Sequence, residues 1–224
     1  HIIYYNMNSP LKVAFLVDDY SVDYTTFELI EFVSNNDSFL NPVIFTGYKD
    51  KNLISKKSIK KKIFDWLVRK VRKKETKIVR KQFPDYLKTK SINNIKNLEI
   101  IKLNGIWSKS GLYLDFDKEN IEKISKQNID LIIRCGTGIV IGDILSIPRF
   151  GILSIHNGDN RVNRGGPPGF WEAFNDEPTI GFVIQKLNSE LDGGDVILRG
   201  NIMSTNYWLM NDAIITKKSI YFFK

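Results

Sequence analysis

Four apolar runs recur along this chain with helical stretches between them, and that alternation restricts the fold more than any other feature of the sequence. "LKVAFLVDD" (11–19), "NPVIFTGY" (41–48), "LEIIKLN" (98–104) and "DLIIRCGTG" (130–138) are dense in Val, Ile, Leu and Phe. They lack the apolar/polar alternation of a strand with one wet face, so they read as parallel strands covered on both sides. Residues from Thr25 to Ser34 read as a helix stopped by Asn35 and Asn36, and "DKENIEKISKQNI" turns Ile121 and Ile124 to one face. "IGDILSI" predicts a short helix and "RFGILSI" one more strand. The expected fold class is α/β, a doubly wound and mostly parallel sheet. With 224 residues and 42% hydrophobic content, the chain can bury an ordinary core.

Cys135 is the single cysteine, which rules out an internal disulfide and a cysteine-built metal site, and fits a structural thiol in a reducing cytoplasm. No run approaches the roughly 18 apolar residues of a membrane span, and "HIIYYNMNSP" lacks the basic and long apolar regions of a signal peptide. Met7 reads as a natural start, and "SIYFFK" at the end has no closing turn, so the expectation is a protein that continues past Lys224.

The charge is uneven. Between Lys51 and Lys81 there are 14 Lys or Arg against Asp65 and Glu75, a local net charge of +12 in a chain of net +8. Ile59, Ile63, Leu67 and Val71 recur every four residues within this segment, as in an amphipathic helix with a basic polar face. Three readings remain open for it: a solvated surface helix, contact with an anionic membrane, or contact with RNA, the last ranked lowest.

His156 is the only histidine inside the chain, and it sits where "FGILSI" gives way to the polar, glycine-rich "HNGDNRVNRGGPPGFW". A strand ending in such a segment brings its last side chains to the rim of the sheet, where open α/β proteins bind ligands. Asp192, in "LDGGD", follows 36 residues later, between the strand-like "TIGFVIQKL" and "DVILRGNI". There is no G-x-G-x-x-G or GK[ST] after a strand, so the dinucleotide and nucleoside triphosphate fingerprints are absent.

His156, the Arg164-Gly165 pair, Pro168 and Trp171, with Asp192 at its distance, resemble the signature of the formyltetrahydrofolate-dependent formyltransferases. The resemblance covers about residues 128 to 202, more loosely the first strand and helix. It implies a formyltransferase-like (Rossmann-like) catalytic domain over 7–202 with a basic helical insertion at 51–90, and places 203–224 at the start of a C-terminal extension. It implies His156 as the group that stabilises the oxyanion and moves a proton, with Asp192 holding the imidazole. The family's third group is an Asn two residues before the histidine, whose amide donates to the oxyanion; here that position is Ser154, a shorter donor. Asn157 is expected to point to the other face from His156.

Folate contacts in the family come largely from backbone groups, which map onto Cys135, Gly136, Thr137, Gly138, Ile139 and Val140 and onto the segment from Leu187 through Leu191 to Asp192. Asp159 and Asn160, with Arg164 and Gly165, are expected at the mouth of the acceptor pocket, and Trp171 in packing. The implied donor is 10-formyltetrahydrofolate, with no metal, and the implied acceptor is a small amine, an amino sugar carried on a nucleotide or lipid. A catalytically silent binding module and a tRNA-directed formyltransferase are the alternatives. The expected location is the cytoplasm, peripheral to a membrane if the basic segment contacts one.

Overall fold

The computed structural model describes residues 9–48, 59–136, 138–162, 167–189 and 194–224, and in the long helix its side chains from Trp66 onward. The chain order is β1 (Val13–Leu16), β2 (Ser21–Asp23), α1 (Tyr24–Ser34), β3 (Val43–Thr46), α2 (Ile59–Gln82), β4 (Thr89–Ser91), β5 (Glu99–Lys102), β6 (Gly105–Trp107), β7 (Tyr113–Phe116) and α3 (Lys118–Ser125). It continues through β8 (Leu131–Arg134), β9 (Ile139–Val140), β10 (Ile152–His156), α4 (Phe170–Phe174), β11 (Thr179–Lys186), β12 (Asp195–Met203) and α5 (Trp208–Phe223).

Seven strands form the central sheet in the order β12-β11-β10-β8-β1-β3-β5. The five from β10 to β5 are parallel, and β11 and β12 close one edge antiparallel. All four residues of β1 and of β3 are buried, as strands covered on both faces require. On one face Ala14, Leu16, Phe45, Ile132 and Ile152 pack with Ile124 of α3. On the other, Val13, Phe15, Ile44 and Ile133 pack with Phe27 and Ile30 of α1 and Ile220 of α5. Each buried Val, Leu, Ile or Phe side chain among them is worth about 1.5–3 kcal/mol of transfer free energy. The sheet is therefore doubly wound and mostly parallel.

Local chemistry sets the helix starts. Asp23 caps α1 by accepting from the backbone N–H groups of Thr25 and Thr26, both at 3.0 Å. Asp117 does the same for α3 through Asn120 N–H at 2.9 Å. The basic insertion holds the 24-residue α2. Its Val68 and Val79 pack against Trp208, Leu209 and Met210 at the start of α5, and Glu75 accepts from the Leu209 N–H at 2.6 Å. Of the four-residue stripe, Leu67 and Val71 are exposed, while the side chains of Ile59 and Ile63 fall outside the described residues.

The segment 203–224, read from the sequence as an extension, contains α5, whose Ile215 is fully buried with Ile180, Phe182 and Ile184 of β11. Among the described residues no helix is long and apolar enough to cross a membrane.

Candidate active site

β10 delivers Ser154 and His156 to the carboxyl edge of the sheet, two residues apart and hence on the same face. Ser154 is buried, and the parallel register sets it beside Arg134, the last residue of β8. Arg134 Nη1 donates to Ser154 Oγ at 3.3 Å, and Nη2 donates to the Gly138 carbonyl. Its Nε is buried and has no hydrogen-bond partner among the described residues, a situation uncommon enough in native interiors to single out the group.

Burial pulls the Arg134 guanidinium down from its ordinary value, against which Tyr48, Cys135 and Asp18 act to keep it charged. Arginine titrates too high to lose its proton at neutral pH, so a cation stands beside the serine. Asp18 accepts from the Tyr48 hydroxyl at 3.4 Å, and burial, then the Asp18 charge, pushes that phenol up. A side chain on Gly136 would collide with both the Tyr48 hydroxyl and the Asp18 carboxylate, so only glycine lets the backbone after β8 pass there. Arg134, Tyr48 and Asp18 had not been singled out from the sequence; a lone arginine closing the apolar run "DLIIR" and two aspartates closing "FLVDD" were the available signals.

Cys135 turns to the opposite face, among the residues packed on α1, and burial pushes its thiol up to about 12. Ile139 and Val140 form β9, paired with Tyr113 and Leu114 of β7, and Gly138 supplies the carbonyl that Arg134 holds. Leu187 packs on the same face as Ile152 and donates its amide to the Ile152 carbonyl at 2.8 Å. Asp192, Leu191, Thr137, Arg164 and Gly165 lie outside the described residues.

Asn157 points away from His156: its Nδ2 donates to Thr216 Oγ1 at 2.8 Å and its Oδ1 accepts from Ser219 Oγ at 3.2 Å, both on α5. Its amide is committed to the fold. Asn160 accepts from Arg199 of β12 at 2.8 Å. Asp159 is 6% exposed and accepts from Arg199 at 2.7 Å and from Arg161 at 3.0 and 2.7 Å. The structure thus places these two residues in a tether between the post-β10 loop and β12. Trp171 stacks edge-on against Phe170 and Phe174.

The two arginines, chiefly the hydrogen bonds from Arg161, hold the Asp159 carboxyl well below the usual carboxylate range. A lowered folded pKa contributes stability that is present above the unfolded value near 3.9 and is lost as pH falls through the folded one. Asp159→Asn is expected to cost on the order of 1–3 kcal/mol at neutral pH by removing the carboxylate that Arg161 and Arg199 share. Thermal melts should show the gap to the parent protein narrowing below about pH 4.

A cavity of about 510 Å³ opens on the α1 and α5 face and reaches the carboxyl edge at Arg134, Cys135 and Gly136. Tyr24, Phe83 and Tyr86 give it aromatic walls, and Asp23, Asp85 and Asp212 give it carboxylates. Asp212 accepts from the Tyr86 hydroxyl, and burial raises its pKa.

No protein-family model matches the chain. Curated proteins similar to it include the methionyl-tRNA formyltransferase of Malacoplasma penetrans, 28% identical over 180 residues that make up 77% of this chain and 53% of the relative. That of Clostridium beijerinckii is 32% identical over 91 residues, 40% of this chain and 30% of the relative. The chain spans about half the length of these relatives or less. Among solved structures, glycinamide ribonucleotide transformylase 1 from Geobacillus kaustophilus matches with a TM-score of 0.59, covering 95% of this chain and 94% of that one at 13% identity. A formyltetrahydrofolate deformylase from Pseudomonas syringae pv. tomato matches at 0.56, covering 94% and 57% at 10% identity. The solved structures share the fold of this chain, and the curated relatives are similar to it in sequence: what the chain resembles in both comparisons is the formyltransferases.

Proposed function

We propose that the protein transfers a formyl group from 10-formyltetrahydrofolate to an amine, and that the amine belongs to an amino sugar. The observation that carries the reading is the placement of His156 and Ser154 on one face of the carboxyl edge with the Arg134 guanidinium 3.3 Å from Ser154. The donor supplies an electrophilic formyl carbon. As the amine adds, negative charge builds on the formyl oxygen, and charged N–H donors aimed at that position lower the barrier. Arg134 is the donor assigned here to that oxygen, in the role that a side-chain amide at position 154 has elsewhere in the family, with Ser154 holding its Nη1. His156 relays the proton from the attacking amine toward the leaving folate nitrogen. Asp192 keeps its proposed part of orienting the imidazole, and the backbone from Gly136 to Val140 its part in folate binding.

The residues fit such a donor in one testable respect: the buried Nε of Arg134 lacks a partner among the described residues. The acceptor class is drawn from the cavity, which meets this edge at Arg134 and Gly136 and is not lined by His156 or Ser154. Aromatic walls stack on the apolar faces of a sugar ring, the Thr25, Thr26 and Thr216 hydroxyls offer hydrogen bonds, and the carboxylates favour an ammonium group before it loses its proton. A tRNA acceptor is the second reading, favoured by the names of the curated relatives.

Calorimetric titration with 5-formyltetrahydrofolate, a stable isomer of the donor, should show saturable one-site binding. Transfer assays should then show formylation of a nucleotide-linked amino sugar. No folate binding by the folded protein sinks the proposal, and formylation of aminoacylated tRNA instead of sugars transfers it to the second reading.

A further inference from the structure

We infer that α2 is a membrane-docking element that lays one side of the protein on an anionic bilayer. The helix has two working sides. Val68, Glu75 and Val79 fasten it to α5, Val79 with no exposure and Glu75 by its hydrogen bond to Leu209. Leu67, Val71 and Ile78 are 50%, 45% and 39% exposed, and Trp66 is 48% exposed.

At about 100° per residue, Leu67, Val71 and Ile78 fall within roughly 40° of one another, next to the docked face and separate from it. Lys70, Lys74 and Lys81 lie within about 60° on their open side. Lys70 Nζ sits 3.9 Å over the Trp66 ring, so the cation and the indole form one amphipathic unit. Over its whole length α2 carries 11 Lys or Arg against Asp65 and Glu75.

The occupant follows from the mixture. A phosphate-rich surface suits the charge, since Asp65 and Glu75 offset only two of the 11 cations on the helix. A polynucleotide supplies phosphate but gives an aliphatic stripe nothing to bury into. An anionic bilayer supplies both: lysines reach headgroup phosphates while Leu67, Val71 and Ile78 enter the acyl boundary and the indole stays at the interface. A tryptophan and a lysine-rich face at the edge of such a stripe match that depth profile. The inference stands on α2 alone and does not depend on the formyl-transfer proposal.

The experiment is co-sedimentation of the full chain with vesicles of phosphatidylcholine alone and of phosphatidylcholine with phosphatidylserine in equal parts. Binding is expected on the anionic vesicles only, reduced about 10-fold or more by Leu67→Glu and reduced and salt-sensitised by Lys70→Gln with Lys74→Gln. Because these side chains are exposed, melting temperature should stay at the parent value, which separates lost docking from lost folding. Anionic-vesicle binding that is indifferent to Leu67→Glu overturns the inference. So does absence of vesicle binding, with or without tight tRNA binding of steep salt dependence.

Discussion

His156→Asn is expected to lower the turnover number for formyl transfer by about 10²–10⁴-fold, the usual worth of a positioned general acid–base group. The side chain ends the strand that also carries Ser154, and it is the chain's only internal histidine, so no second imidazole is available to take over. Asparagine keeps a hydrogen-bonding group of similar reach and removes the ring nitrogens that can take up and release a proton. Affinity for 5-formyltetrahydrofolate, read by calorimetry, should move little, so the loss should appear in turnover rather than in donor binding. Unchanged turnover assigns the proton relay to another group and removes His156 from the chemistry.

The second large effect is expected at Arg134. Arg134→Met keeps an unbranched stem and removes the guanidinium donors, and turnover should fall by about 10²–10³-fold, the loss associated with one oxyanion donor. Arg134→Lys should recover part of that rate, since a single ammonium keeps the charge but not the fork that bridges Ser154 and the Gly138 carbonyl. A purely architectural arginine gives a different pattern: both variants would melt at lower temperature in proportion to their lost activity. Pre-steady-state measurement of the transfer step, alongside melting curves, separates the two. Retention of full turnover in a folded Arg134→Met protein excludes the assigned role.

The parallel strands were readable because β1, β3 and β8 are apolar on both faces, and no helix in a chain of this composition needs such runs. α5 was not readable as part of the domain. It is enclosed by β11 on one side and by α2 and α4 on another, so "WLMNDAIITKKSIYFF" shows no clean polar stripe from which to infer a docked helix. Ser154 and His156 share a strand, so their common face follows from sequence spacing. Arg134 stands 20 residues earlier, and only the lateral pairing of β8 with β10 brings it beside Ser154; no local pattern encodes that contact. Asp159 shows the converse. In sequence it is one more polar loop residue, and its partner Arg199 lies 40 residues away on β12.

One helix settles where specificity can change. α5 carries Asp212 in the cavity wall, and its Thr216 and Ser219 hold Asn157 at the end of β10. The buried Asn211 donates to the Gly169 carbonyl, and Gly169, at φ 75°, approaches so closely that any side chain there would strike Asn211. Trp208 donates to the Pro168 carbonyl, and Leu209 is held by Glu75. Alteration of α5 to admit a different acceptor would therefore disturb the post-histidine strand end, the loop before α4 and the basic helix together. The opposite wall includes Leu87, which is 40% exposed, and Glu28, from the α2–β4 connection and α1. If the cavity takes the acceptor as proposed, divergence in acceptor size should accumulate on that wall, while α5 serves as the fixed jaw of an adjustable wrench.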